Sequence, residues 1–404
     1  MFHASGGDHL ASFLVRGWSM TESSSVESNL TPFAFRAVCG VFITIGGTAA
    51  LFGPLLSAIA ARFHTTLPVA GTSLSIYFVG ALLGMLLGWY LVHHYEGRIA
   101  AVSGLLTMTV GGVGVSAAAS AHHWILFLLA SAVMGLGFGI LDFTLNTVLA
   151  RTPEVGRAHR LSFANAFWGM GSVIGPLLIV VLRPHNFPLL FALVGLTTLA
   201  LSGLLRGMSA PPTHLNDDVT DRATQRANRP LLLTFISGMM LYVALEIATS
   251  GWLASHVHAL GHSQSVGSLI TAGFWVGFTA GRLVGGWLHR FFSAARLVLG
   301  GLGVAIVLSL LALQPTLALV AYPLLGLALA NIYVFGIIWY QSFVGTDPRG
   351  ISILIIATMV GGIIGPSAIS AIVSVTSVRA VPWCLAGIAA LTAAVFASSL
   401  RFRR

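Results

Sequence analysis

From Phe33 to Leu400 the chain runs through one apolar stretch after another. Most are close to the roughly 20 residues that a helix needs to cross a hydrocarbon core ~30 Å thick. This repetition predicts an all-α membrane protein with twelve spans, at 33–62, 68–93, 98–118, 123–150, 160–183, 187–206, 231–258, 263–290, 295–314, 315–341, 349–374 and 380–400. The first, second, seventh and eighth are long enough to tilt or protrude. Composition agrees, because only 8% of residues are charged, against about 25% in soluble domains. The 46 glycines fit as well, since helices in lipid pack through small residues.

Two polar intervals interrupt the pattern. Residues 1–32 form a Ser-rich segment, expected in the cytoplasm, with no apolar run resembling a signal peptide. Residues 207–230 carry Pro211, Pro212, Asp217, Asp218, Asp221, Arg222, Arg226 and Arg229, and divide the spans six and six. The expected organisation is a six-helix bundle over 33–206, a cytoplasmic linker over 207–230 and a second six-helix bundle over 231–404.

The halves echo each other. Gly80, Gly84 and Gly88 in the second span recur as Gly277, Gly281 and Gly285 in the eighth. Gly171, Gly175 and Pro176 in the fifth recur as Gly361, Gly365 and Pro366 in the eleventh. Glycines four apart are common in membrane helices, but two ordered matches on either side of a linker point to parallel repeats. Such repeats place a solute site between the halves, near the bilayer midplane.

Charge sets orientation and excludes other classes. The cationic residues are all arginine. With the N-terminus in the cytoplasm, sixteen fall inside, Arg62, Arg183 and Arg379 fall outside, and Arg282 lies within a span. That bias follows the positive-inside rule and puts both termini in the cytoplasm, and the expected membrane is the bacterial inner membrane. Arginines at helix ends do not read as a nucleic-acid surface. Cys39 and Cys384 both sit in apolar segments, so neither a disulfide framework nor a metal site is expected. The histidines cluster at span ends, and His256 and His258 read as interface residues. No phosphate-cradling loop or nucleophile motif is found, so neither enzyme activity nor a cofactor is predicted.

Two acidic residues, Asp142 and Glu246, lie deep in apolar spans. A carboxylate at mid-bilayer costs at least ~2.5–3.5 kcal/mol and persists mainly where it binds, pairs or relays protons. Asp142 and Asn146 are four apart and share a helical face. A cavity-facing acid about 12 Å from the cytoplasmic end by helix rise suits proton exchange. The alternative is an Asp that bonds a neighbouring helix or holds a gate arginine. Glu246 shares its face with Tyr242, Thr249 and Ser250, a strip suited to a polyol or a proton. Its alternative is a pair with Arg282, which protonation would release. Asn165, Trp168, Trp275, Asn331, Tyr333, Trp339 and Gln341 are further candidates for lining a solute site.

Twelve spans, a six-plus-six split and these repeats make residues 33–400 resemble the major facilitator superfamily. The superfamily's loop after the second helix is degraded, with Val92 and His93 at its Asp-Arg positions and Glu96-Gly97-Arg98 downstream. The run from Gly135 through Asp142 to Asn146, Arg160 to Asn165, and Glu246 with Gly251-Trp252 and Gly281-Arg282 are most similar to fucose permease-like sugar–proton symporters. That resemblance implies a proton-coupling role for Asp142 and a sugar-facing place for Asn165. The first-helix aspartate of those symporters falls near Ala50, where this chain has no acid. The repeat offset carries Glu246 onto Ala49, so Glu246 could supply from the second half the charge that the first lacks.

The expectation is therefore a monomeric, proton-coupled secondary transporter of a small polar solute, with a sugar as the leading candidate, working by alternating access. Its partners are that solute, protons and the bilayer. Two alternatives stay open: a proton-driven exporter of amphipathic compounds, and an uncoupled facilitator or transporter-derived receptor.

Overall fold

The computed structural model describes residues 28–153, 157–212, 229–345 and 348–402. Most of the expected N-terminal segment and linker lies outside these residues. The first six helices are α1 (Pro32–Arg62), α2 (Leu67–His94), α3 (Gly97–Ser120), α4 (Trp124–Ala150), α5 (Arg157–Leu182) and α6 (Phe187–Leu204). The later ones are α7 (Arg229–Ala259), α8 (Gln264–Leu288), α9 (Ala294–Leu311), α10 (Pro315–Leu329), α11 (Ile332–Val344), α12 (Pro348–Val375) and α13 (Val381–Ser398). Among the described residues eleven segments are long and apolar enough to cross a membrane, counting α10 and α11 as one. Helix α8, diluted by glycine, serine and Arg282, is not among them.

Local chemistry starts these helices where the sequence changes character. Proline occupies the first turn of α1, α2, α6, α10 and α13, where its missing N–H costs nothing. Thr31, Ser263 and Ser293 accept hydrogen bonds from Ala34, Val266 and Arg296 backbone N–H groups, capping α1, α8 and α9.

The expected tenth span differs from the continuous helix read from the sequence. It breaks at Ala330–Asn331 into α10 and α11. Pro323 already removes one donor inside α10, and at the break the Asn331 side chain leaves the helix axis to bond α8. Its Nδ2 donates to the Gly281 carbonyl at 2.6 Å. Non-helical backbone at membrane depth is tolerated where protein surrounds it.

Two apolar cores form, one in each bundle. The first centres on Phe42, Phe52, Tyr77, Phe127 and Phe191. The second centres on Phe235, Trp252, Tyr322, Trp339 and Phe396.

The sequence echoes have a packing cause. A Cβ on Gly84 would strike the Leu136 carbonyl of α4, and one on Gly139 the Ala81 carbonyl of α2. In the second bundle Gly277 meets the Pro323 carbonyl of α10, and Gly326 meets the Phe274 carbonyl of α8. The α2–α4 seam is thus repeated as α8–α10. The other echo brings Gly171 against Ile43 of α1 and Gly361 against Met240 of α7. The seams α1–α5 and α7–α12 correspond in the same way. Absent side chains let the backbones touch, which is how helices associate without a hydrophobic driving force between them.

The bundles meet toward the end of the molecule opposite the linker, called here the far end. Gly53 of α1 abuts Ser250 and Gly251 of α7, and Gly71 of α2 abuts Ser370 of α12. The Ser367 hydroxyl donates to the Ser75 hydroxyl at 2.7 Å. Phe78 packs on Gly362. These positions lie in the last third of α1 and α7, the first half of α2 and the second half of α12. Toward the linker end, Leu83, Leu86 and Leu87 of α2 and Ile353 of α12 are exposed.

Candidate functional site

Helix α4 carries Asp142 eight residues before its end, so the carboxylate lies ~12 Å from the linker end by helix rise. The residue is half-buried. Asn146, one turn on, donates from Nδ2 to the Asp142 backbone carbonyl at 2.8 Å and to Asp142 Oδ1 at 3.2 Å. Its own Oδ1 accepts from Asn165 Nδ2 of α5 at 3.1 Å. Asn165 Nδ2 also donates to the Leu161 carbonyl at 3.0 Å. An amide ladder therefore links the carboxylate of α4 to α5, Asn165 donating to Asn146 and Asn146 to the acid. Among the described residues Asp142 Oδ2 has no hydrogen-bond partner, and it is not sealed from solvent.

The second carboxylate is held differently. Glu246 sits midway along α7 and is 8% exposed, with neither oxygen hydrogen-bonded and neither sealed. The Tyr242 hydroxyl, one turn before, faces it without meeting hydrogen-bond geometry. Arg282 of α8 is exposed and lies over the Phe278 ring, 4.6 Å from its centroid. Among the described residues no ion pair joins Arg282 to Glu246, so the direct pair considered from sequence does not form in this state. The guanidinium is still near enough for Glu246, Tyr242 and Tyr333 to sense its charge.

Tyr333 stands near the start of α11. It is half-buried and lies within electrostatic reach of Asp142 in the first bundle and of Glu246 and Arg282 in the second. Trp168 of α5 and Trp275 of α8 meet edge-to-face across the bundles, 5.3 Å between centroids. Gly169 fits against Thr279 beside them. These contacts join α5 of the first bundle to α8 of the second.

Other residues singled out from the sequence occupy different places. Trp339 is 1% exposed and packs in the second core, 5.6 Å from Phe235 and 5.8 Å from Phe396 between centroids. It faces away from the inter-bundle surface, contrary to the expectation, because α11 turns that side onto α7 and α13. Asn331 is committed to Gly281. Thr249 is fully buried and its hydroxyl donates to the Leu245 carbonyl of its own helix at 2.7 Å. Gln341 is half-buried toward the linker end of α11. Among the described residues no His, Cys, Asp or Glu cluster suits a metal.

His256 corrects the sequence reading outright. It is 1% exposed, and its Nδ1 shares a hydrogen bond of 2.9 Å with the Tyr322 hydroxyl of α10. His258 is exposed, as two-residue spacing on a helix requires. The missed signal was helical phase: His256 follows Trp252 by four and Thr249 by seven, on the buried face of α7.

Residues 37–350 match the family profile of the Major Facilitator Superfamily. The chain belongs to that superfamily. As a member it is an integral multi-pass membrane transporter, not an enzyme, and the sequence-based expectation of family and fold holds. Among similar proteins, Protein TsgA of Shigella boydii is 23% identical over 323 residues, which span 78% of this chain and 79% of that protein. A nucleoside transporter, NupG, superposes with a TM-score of 0.74 at 13% identity, covering 91% of this chain and 99% of its own. A D-xylose–proton symporter gives 0.72 at 15% identity, covering 90% and 96%. The Escherichia coli fucose–proton symporter FucP gives 0.62 at 19% identity, covering 92% and 98%. At these identities the superpositions speak for the fold alone.

Proposed function

We propose that this superfamily member couples movement of a small polar solute, most consistently a sugar, to movement of protons. Asp142 is the proton carrier. The observation that carries this reading is the ladder Asp142–Asn146–Asn165, with one carboxylate oxygen held and the other open. A carboxyl group fixed at depth with one free oxygen can take up and release a proton without losing its position. Xylose–proton and fucose–proton symporters among the similar structures lend support to this class of substrate.

Glu246, Tyr242 and Tyr333 supply acceptor and donor groups for hydroxyl-bearing solutes, and Arg282 fixes the local charge. The working unit is a monomer in the bacterial inner membrane, termini and linker on the cytoplasmic side. With that orientation the contacts at the far end close the outward side, and the linker end faces the cytoplasm. Alternating access then requires the α1–α7 and α2–α12 contacts to part.

The test is a thermal-shift screen of sugars, nucleosides, organic acids and drugs at two pH values, followed by transport in proteoliposomes. A sugar whose stabilisation depends on pH, and loses that dependence in Asp142→Asn, fits the reading. The same variant should lose uphill uptake yet retain counterflow. A response to drugs alone, or uphill uptake undiminished in Asp142→Asn, rules it out.

A further inference from the structure

At the far end of the second bundle lies a cavity of about 380 Å³, unconnected with the two acids. That volume falls in the ~300–1,000 Å³ range of small-molecule sites. It is lined by His256 and Leu260 of α7, Leu313 and Pro315 at the α9–α10 turn, Arg379, and Trp383 of α13. We propose that this cavity binds a phosphate group, carried either by a phospholipid headgroup or by a free phosphate anion.

The donors are unspent. Arg379 is exposed and makes no hydrogen bond, ion pair or ring contact with another described residue. Arg62, also at the far end, is by contrast occupied: it donates to the His185 carbonyl at 3.0 Å and lies over Phe187. The His256 ring is fixed through Nδ1 by Tyr322. When the Tyr322 hydroxyl donates to Nδ1, the remaining proton sits on Nε2, which has no other partner among the described residues. A guanidinium fork and an imidazole N–H at one cavity match the oxygens of a phosphate, and arginine is suited to bidentate recognition of that group.

No carboxylate nearby competes for these donors. The six connections at the far end, 63–66, 121–123, 183–186, 260–263, 312–314 and 376–380, contain no Asp or Glu. The described acids are Glu96, Asp142 and Glu246, all in other regions. Trp383 is 61% exposed at the start of α13, the level at which tryptophan sits among headgroups. Its ring with Leu260, Leu313 and Pro315 gives an apolar rim against which the glycerol and first acyl carbons of a lipid would lie.

The full-length protein in a nonionic detergent should be titrated with dihexanoylphosphatidylglycerol, inorganic phosphate and phosphate-free dihexanoylglycerol, binding being followed by calorimetry. The phospholipid should bind saturably, and Arg379→Gln should weaken it about tenfold, the loss expected for a contact to a charged group. Arg379→Lys, which keeps the charge without the fork, should fall between. Phospholipid binding without phosphate binding identifies a headgroup site, whereas Arg379-dependent binding of inorganic phosphate identifies a free-anion site. Equal affinity of native and Arg379→Gln protein, or dihexanoylglycerol binding as tightly as the phospholipid, overturns the proposal. The melting temperature without ligand should be the same in all three proteins, since Arg379 is exposed and makes no hydrogen bond or ion pair with another described residue.

Discussion

The two deep carboxylates occupy opposite bundles and are held in opposite ways. Asp142 is tied into a ladder of asparagines that joins α4 to α5, leaving one oxygen free. Glu246 is more buried and lies in no such ladder among the described residues, with the Tyr242 hydroxyl facing it and Arg282 close but not paired to it. A group that gains and loses a proton repeatedly benefits from fixed geometry in both states. A group that receives a solute benefits from partners left unspent. The contrast therefore assigns proton exchange to Asp142 and solute contact to Glu246 within the proposed mechanism.

The largest expected effect separates those roles. Asp142→Asn should abolish proton-driven accumulation while exchange of labelled solute across the membrane continues. Glu246→Gln should do the reverse in emphasis, raising the solute concentration for half-maximal uptake while the remaining uptake keeps its response to a pH gradient. Proteoliposome uptake with and without an imposed gradient reads both. If Glu246→Gln removes the gradient response and Asp142→Asn keeps it, the assignment is inverted.

The seams offer a second comparison, in stability. Gly84→Val places a side chain against the Leu136 carbonyl and Cα of α4, where only backbone could move. Gly281→Val meets Ala330 Cβ and the Leu327 carbonyl, next to the break between α10 and α11. Backbone at a break has more room to shift. Overpacking costs typically ~1–3 kcal/mol and occasionally more, so Gly84→Val should lose about 3 kcal/mol and Gly281→Val less. Thermal unfolding in one detergent, ranking the two melting temperatures, checks this. An equal or reversed ranking would show that the broken span is as rigid as the continuous one.

The seams also show what the sequence made legible. Glycine repeats at fixed offsets announced two equivalent bundles, because close helix contact in lipid demands small residues at regular spacing. The shared face of Asp142 and Asn146 was also readable from their four-residue spacing, whereas the bond from Asn165 of α5 to Asn146 was not. Trp339 and His256 were not. Each is an amphipathic residue whose environment depends on which side of its helix faces its own bundle, and membrane helices are apolar on all sides. Hydropathy, which reveals a core face in a soluble helix, carries little phase information here. The break at Asn331 was hidden for a related reason: its cause is a partner carbonyl on α8, far away in the chain.

The smallest predicted effect probes the ladder itself. Asn165→Ala removes the Nδ2 donor to Asn146 but leaves the Asn146 contact with Asp142 in place. A single hydrogen bond contributes about 1 kcal/mol net, so the fold should lose no more than that, and the melting temperature should fall only slightly. Transport should respond in proportion to how far Asn146 drifts once its far side is free. If the ladder positions the acid, Asn165→Ala moves the pH at which uptake is half-maximal, while Asn165→Gln, which restores an amide, recovers part of the shift. If Asn165 contacts only solute, both variants raise the half-saturating solute concentration and leave the pH profile unmoved. That outcome would separate α5 from the proton site and leave Asp142 supported by its own helix alone.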